Sequence, residues 1–256
     1  MEHQGTPLVQ MEGITKRYGA VEALTDVSIH VDRHEVLGLL GDNGAGKSTL
    51  IKVLAGVHPP TTGQVYFDGK PVLLKSPADA RKMGVETVHQ ALSLVDIMTI
   101  SRNFYLGREP TRKFGPFSLL DTRKMGQECR DVVTHVGVRV RDPNEYVSLL
   151  SGGERQAISI GRAMHFGAKV LILDEPMTAL SIKEVRIIVK EIEKAKDEGA
   201  AIIFITHNVH HVYPIADRFT ILDRGKKVCD LDKSQASPEQ IMEIVATGNM
   251  DSVNVV

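Results

Sequence analysis

Gly41-Asp42-Asn43-Gly44-Ala45-Gly46-Lys47-Ser48-Thr49 lies between a short apolar run, Val36-Leu37-Gly38-Leu39-Leu40, and a stretch in which Leu50, Val53 and Leu54 fall on one helical face. It satisfies G-x-x-x-x-G-K-[ST] in the setting that pattern requires, a strand before it and a helix after it. The glycines let the backbone curl so that successive N–H groups point into one concavity. The following helix adds its positive N-terminal end, so an anion settles there. Lys47 brings a full charge to the outer phosphates of such an anion. The Ser48 hydroxyl suits Mg²⁺, a hard cation that takes oxygen ligands.

The pattern extends in both directions from this loop. Upstream, Leu24, Val27, Ile29 and Val31 alternate in the manner of a strand, with one step of three. Downstream, His58-Pro59-Pro60 ends the helix, and residues 63–72 read as a hairpin turning at Asp68-Gly69. Helical periodicity dominates from about Thr99 to Met164, broken by a Gly/Pro-rich stretch at 107–116, and we read this region as a helical insertion. Val170-Leu171-Ile172-Leu173 then reads as a buried strand. A helix carrying Val185, Ile188, Val189, Ile192 and Ala195 follows and stops at Gly199. Residues 201–205 form a second buried strand, and strand–helix–strand order implies a parallel sheet with right-handed crossovers. A strand near 219–222, a hairpin at Arg224-Gly225 and a helix from Pro238 to about Ala246 complete the chain.

Two further segments bear on chemistry. The strand at Val170 runs into Asp174-Glu175-Pro176, which delivers two carboxylates to the carboxyl edge of the sheet, where the phosphate loop also lies. Beside such a loop, Asp174 suits Mg²⁺ through water, and Glu175 suits the polarisation of an attacking water. Alone, an acid at that place is more often a helix cap. Leu150-Ser151-Gly152-Gly153-Glu154-Arg155-Gln156 opens a helix with a serine and two glycines, a second anion-receptive helix start. His207, His210 and His211 form an H-x-x-H-H cluster with no acid at ligand spacing, so a metal site is not expected there.

Composition narrows the class. The 256 residues hold 31 basic and 32 acidic side chains, a formal charge of −1, with 42% hydrophobic and 25% charged residues. Such a chain folds into a globule, and it lacks the basic excess on which non-specific nucleic-acid binding rests. The longest apolar run, residues 200–205, is far short of the roughly 20 residues a membrane helix needs. No secretory signal is visible at the N-terminus. Cys129 and Cys229 stand far apart, which fits a reducing compartment.

Residues 150–156 resemble the signature sequence of ATP-binding cassette (ABC) ATPases and lie between the phosphate loop and the Asp174-Glu175 strand, in that family's order. The resemblance extends from about Val9 to Leu222. It implies an α/β fold: a P-loop NTPase core with a mixed sheet, parallel at its centre with an antiparallel β subdomain, at 1–90 and 165–256, and an inserted helical subdomain at about 91–164. By the same resemblance Tyr18 stacks on adenine, and Gly41, Asp42, Asn43, Gly44, Ala45, Gly46, Lys47, Ser48 and Thr49 hold the phosphates of ATP. Mg²⁺ is held by Ser48, Gln90 and Asp174. Glu175 is the general base, and His207 senses the γ-phosphate. Ser151, Gly152 and Gly153 complete the site of a second cassette.

Finer likenesses point to a subclass. Asp42, the string at 76–81 and the string at 103–110 are similar to ATPases of bacterial monosaccharide importers. That likeness implies an ATPase energising import of a sugar such as fructose, ribose or xylose. It implies membrane permease subunits as partners, a second ABC ATPase subunit, an external sugar-binding protein acting indirectly, and a cytoplasmic place on the inner membrane face. The alternatives are a cytosolic ABC ATPase without a transporter and a regulatory cassette without turnover. Ser101 to Arg130 carries seven basic and three acidic residues, a charge that an anionic leaflet or plain solvation would suit. One departure stands out: where the family usually has Ala-Leu-Asp, Thr178-Ala179-Leu180 is followed by Ser181.

Overall fold

The computed structural model describes residues 6–89, 94–135, 142–178 and 180–250. They form two compact units. The first comprises Met1–Thr87, Ala168–Pro176 and Glu193–Val256, and the second Val88–Gly167 and Met177–Ile192.

Two sheets build the first unit. Strands β1 (Val9–Tyr18), β2 (Val21–Val31), β4 (Thr62–Phe67) and β5 (Lys70–Val72) pair antiparallel in the order β2-β1-β4-β5. The step of three from Leu24 to Val27 is a β-bulge. Ile14 and Lys16 of β1 face Val27 and Leu24 of β2, so β2 carries one extra residue there, beside Asp26 at φ 52°. The bulge restores the inward aim of both apolar side chains. The β4–β5 turn at Asp68-Gly69 has positive φ at both residues, the type I′ geometry that the dipeptide predicts.

The second sheet has the order β12-β11-β3-β10-β9-β6. Its strands are β3 (Val36–Leu40), β6 (Val85–Val88), β9 (Val170–Asp174), β10 (Ala201–Thr206), β11 (Arg218–Asp223) and β12 (Lys226–Asp232). Strands β11, β3, β10 and β9 run parallel, and β12 closes one edge antiparallel to β11. All residues of β3 and β10 are buried, which is why neither alternates. Helix α1 (Lys47–Leu54) lies in a core shared with both sheets: its Leu50, Ile51, Val53 and Leu54 cluster with Leu24 and Val27 of β2, Leu37 and Leu39 of β3, and Ile203 of β10. Burying a single Leu or Ile there contributes about 1.5–3 kcal/mol. Helices α2 (Pro77–Lys82), α7 (Val209–Val212) and α8 (Pro238–Thr247) complete the unit. The parallel order places the carboxyl ends of β3, β9 and β10 side by side, and every candidate catalytic residue leaves the sheet at one of those ends.

The second unit holds α3 (Ile100–Tyr105), α4 (Thr122–His135), α5 (Gly152–His165) and the start of α6 (Ile182–Asp197). The buried Asn103 organises the turn before α3. Its side-chain oxygen accepts from Val95 N at 2.7 Å, and its amide donates to the carbonyls of Val95, Met98 and Thr99. The Gly/Pro-rich stretch at 107–116, read as a break between helices, contains a strand. Thr111–Phe114 (β7) pairs with Phe117–Leu120 (β8) across Gly115-Pro116, in register Phe114↔Phe117. Four residues a side are too few to show alternation against the helical pattern around them.

Candidate functional site

The nine-residue loop leaves β3 and enters α1 through Gly46, the N-cap, at φ 101°. No side chain fits there. A Cβ would stand 2.8 Å from Leu24 Cδ2 and 3.1 Å from the Ala23 carbonyl oxygen, in a conformation open to glycine. A second turn braces the loop. At Arg224-Gly225, between β11 and β12, Gly225 N donates to Ala45 O at 3.0 Å, and Gly225 O accepts from Thr25 N at 2.8 Å. The sequence predicts the hairpin at 224–225 and gives no sign of this contact. Together these segments line a cleft of about 480 Å³, bounded by residues 21–23 and 43–49 with Arg224 and Gly225. Ser48 and Thr49 line it, and Ser48 is exposed.

Lys47 is buried, and its Nζ donates to the carbonyls of Gly41 at 2.6 Å and Asp42 at 3.0 Å. Burial pushes its pKa below the ordinary lysine value, against the opposing pull of Glu175, Asp42 and Asp174. The ammonium is thus thinly solvated, which strengthens its attraction for a phosphate oxygen.

Asp174 ends β9, and Glu175 follows at φ 49°, an unusual conformation for a non-glycine residue. That strain, of order 1–3 kcal/mol, is the kind found at functional sites. Glu175 N donates to Ile205 O at 3.0 Å and so extends the β9–β10 pairing past Asp174. Its carboxylate gathers three donors from the end of β10. Oε1 accepts from His207 N at 3.0 Å and faces His207 Nδ1 at 2.6 Å, and Oε2 accepts from Thr206 Oγ1 at 3.0 Å. Thr206, fully buried, is a site residue that sequence reading missed, because a threonine at a strand end carries no signal of its own. The Glu175 side chain is 14% exposed and that of His207 56%, so the pair stands at the surface with the carboxylate turned inward.

The other expected residues fall as follows. Tyr18 ends β1, half-exposed, edge-on to His58 with centroids 5.6 Å apart, and it is not among the residues lining the cleft. Gln90 lies outside the described residues. His210 is exposed and His211 half-buried against Asn208. Among the described residues, no three His, Cys, Asp or Glu side chains group so as to hold a metal ion. The oxygens of Ser48 and Asp174 are therefore too few to bind Mg²⁺ alone, and their hard-donor chemistry fits a Mg²⁺ that arrives on phosphate.

In the second unit, Ser151 is the N-cap of α5. Its Oγ accepts from Glu154 N at 3.3 Å while its own N–H donates to Glu154 Oε2 at 2.9 Å, a reciprocal capping box. Gly153 N donates to Glu184 Oε1 at 3.0 Å. Glu184 also escaped the sequence reading.

Comparison with known proteins accords with this geometry. Residues 24–178 match the family model described as ABC transporter. The xylose/arabinose import ATP-binding protein XylG of Sulfolobus acidocaldarius is 40% identical over 248 residues, 97% of each chain. The fructose import ATP-binding protein FrcA of Rhizobium meliloti is 40% identical over 228 residues, 87% of each. A ribose import ATP-binding protein of Rubrobacter xylanophilus is 41% identical over 222 residues, 87% of this chain and 44% of that longer protein. Among solved structures, an ATP-binding cassette of an ABC transporter in its ADP conformation superposes with a TM-score of 0.78 at 24% identity, covering 94% of this chain and 95% of its own. The chain belongs to the ABC transporter family, and it is an ATP-binding cassette with the α/β P-loop NTPase fold. As such it is an ATPase. Among the described residues, no helix is long and apolar enough to cross a membrane.

Proposed function

We propose that this chain hydrolyses ATP to energise an importer for a monosaccharide. One observation carries the hydrolysis: Lys47 of the phosphate loop lies within the field of Asp174 and Glu175, and Glu175 is held by His207 and Thr206. A cation for the phosphates, a carboxylate for the water and an imidazole beside it are the parts phosphoryl transfer needs.

Phosphates enter the loop and take the Lys47 ammonium from the Gly41 and Asp42 carbonyls. Ser48 and Asp174, with Gln90 by the family likeness, would hold Mg²⁺, which would neutralise charge on the phosphates when bound. The Glu175 carboxylate orients a water and accepts its proton. The His207 ring, fixed through Nδ1, keeps Nε2 for the transferred phosphoryl group. Catalysis here is positioning plus electrostatics. Tyr18 supplies the stacking surface for adenine. The turn at Ser151, Gly152 and Gly153 serves the nucleotide bound to a second cassette, so two copies, or a copy and a sister subunit, close on ATP and part after hydrolysis. Membrane permease subunits supply the pore, an external sugar-binding protein delivers the sugar, and the chain works on the inner membrane face. The named substrates of the relatives (xylose or arabinose, fructose, ribose) set the substrate class.

The test is uptake. Cells carrying the chain take up a labelled pentose or hexose faster than cells lacking it, and a membrane permease co-purifies with it. Equal uptake of xylose, arabinose, ribose and fructose by cells with and without the chain would overturn the sugar reading. Absence of phosphate release from Mg–ATP by the assembled complex would overturn the ATPase mechanism.

A further inference from the structure

The start of α5 is not an open anion seat. The Glu184 carboxylate already stands on it. Oε1 accepts from Gly153 N at 3.0 Å, and the Ser151 side chain stands close enough to help lower the pKa of the same carboxylate. Oε2 accepts from Ser181 N at 2.9 Å and Ser181 Oγ at 2.8 Å. One side chain thus bridges the beginnings of two helices, α5 and α6.

Capping accounts for half of this. Ser181 is placed as N-cap of α6 with Glu184 three residues on, and that motif needs one carboxylate oxygen on the Ser181 N–H. Among the described residues there are three more such boxes, Ser151 with Glu154, Asp232 with Gln235 and Ser237 with Gln240, and the last two use a neutral side chain at N3. A charge at 184 is more than capping requires. The opposite oxygen, on Gly153, belongs to the neighbouring helix. Gly153 itself is shaped to this approach: a Cβ there would lie 2.4 Å from Glu184 Cβ and 2.6 Å from Glu184 Cγ. The donors hold the carboxyl well below its ordinary range, at about 2, so it stays ionised at any physiological pH. A phosphate reaching the Ser151 hydroxyl and Gly153 N–H meets an anion already bonded to Gly153 N and standing beside Ser151.

We infer that Glu184 is a gate on the signature turn: its carboxylate competes with the phosphate of a partner cassette's ATP for Ser151 and Gly153, and it must be displaced before two cassettes close. This rests on the proposed role of that turn toward a second cassette. Ser181, at the place where the family usually has aspartate, takes part. Its hydroxyl donates to the gate, whereas an aspartate there would repel it.

The experiment is ATP-driven dimerisation, followed by sedimentation in a Glu175→Gln background so that ATP is not consumed. Three variants are compared: Glu184→Gln, which keeps the cap on Ser181 and removes the charge; Glu184→Asp, which keeps charge and cap but draws back from Gly153; and Ser151→Arg, which blocks the turn. A cooperative melt above the assay temperature and a monomer ATP affinity equal to the parent's establish that each is folded. The gate predicts that Glu184→Gln lowers the ATP concentration for half-maximal dimer by about fivefold, the weight of one like charge at about 4 Å in a solvated site. Glu184→Asp shifts it the same way by less, and Ser151→Arg forms no dimer. Normal dimerisation by Ser151→Arg would overturn the partner-site reading and the gate with it. Loss of dimer in Ser151→Arg, with Glu184→Gln unchanged or weaker, would overturn the gate alone and leave Glu184 a helix cap.

Discussion

Replacing Gly225 by alanine tests whether the β11–β12 turn braces the phosphate loop. Gly225 sits at φ 78°, and an added Cβ would stand 2.7 Å from the Ala23 carbonyl oxygen. The left-handed conformation alone costs an alanine roughly 1–2 kcal/mol. The overlap is with backbone, so it is relieved only by moving the turn, which loosens the bonds to Ala45 O and from Thr25 N. At about 0.5–1.5 kcal/mol for each, the total reaches about 2–5 kcal/mol. For a chain of this size the melting temperature drops by roughly 4–20 °C. The Ala45 end of the loop is released as well, so ATP affinity falls by about tenfold. The control is Gly19→Ala, where φ is 59° but a Cβ meets nothing within 4 Å. It shares the conformational cost and lacks the overlap. Thermal melts and ATP titrations of both variants separate the two effects. If Gly225→Ala melts with Gly19→Ala and binds ATP as the parent does, the turn does not hold the loop.

Two predictions concern stability. Glu35→Ala strands Arg218, whose Nε lies 2.8 Å from Glu35 Oε1 with both side chains under 10% exposed. Urea unfolding is expected to show a loss of about 3–5 kcal/mol, and a loss under 1 kcal/mol would mean that Asp230, 3.7 Å from the guanidinium, suffices alone. The second follows pH. The Glu184 carboxyl titrates at about 2 in the fold against 4.5 in an unfolded chain, so its stabilisation is full above pH 4.5 and disappears as pH falls toward 2. The melting temperature of the parent therefore exceeds that of Glu184→Gln at pH 6, and the gap closes between pH 4.5 and 2. A gap that does not depend on pH would refute the assignment.

Much of this fold is written in local chemistry. Asp68-Gly69 names its own turn, Ser237 with Gln240 its own helix start, and β3 and β10 show by their unbroken apolar runs that both faces are covered. The residues of the phosphate loop and the Asp174-Glu175 pair are legible because each is contiguous in sequence with the element that aims it. What the sequence hides is contact made at a distance. Gly225 reaches Ala45 across 180 residues, Thr206 reaches Glu175 from the neighbouring strand, and Glu184 crosses to Gly153 from another helix. Each looks ordinary in its own segment, as a turn glycine, a strand-end threonine and an N3 acid. The β7–β8 hairpin is hidden for another reason: two strands of four residues leave too short a pattern to count.

In the proposed mechanism Glu175, held by His207 and Thr206, takes the proton of the attacking water. Single-turnover phosphate release by Glu175→Gln, beside ATP binding by the same protein, tests it most directly. Binding is expected to survive while release slows by about 10²–10⁴-fold. Release at the parent's rate would contradict it.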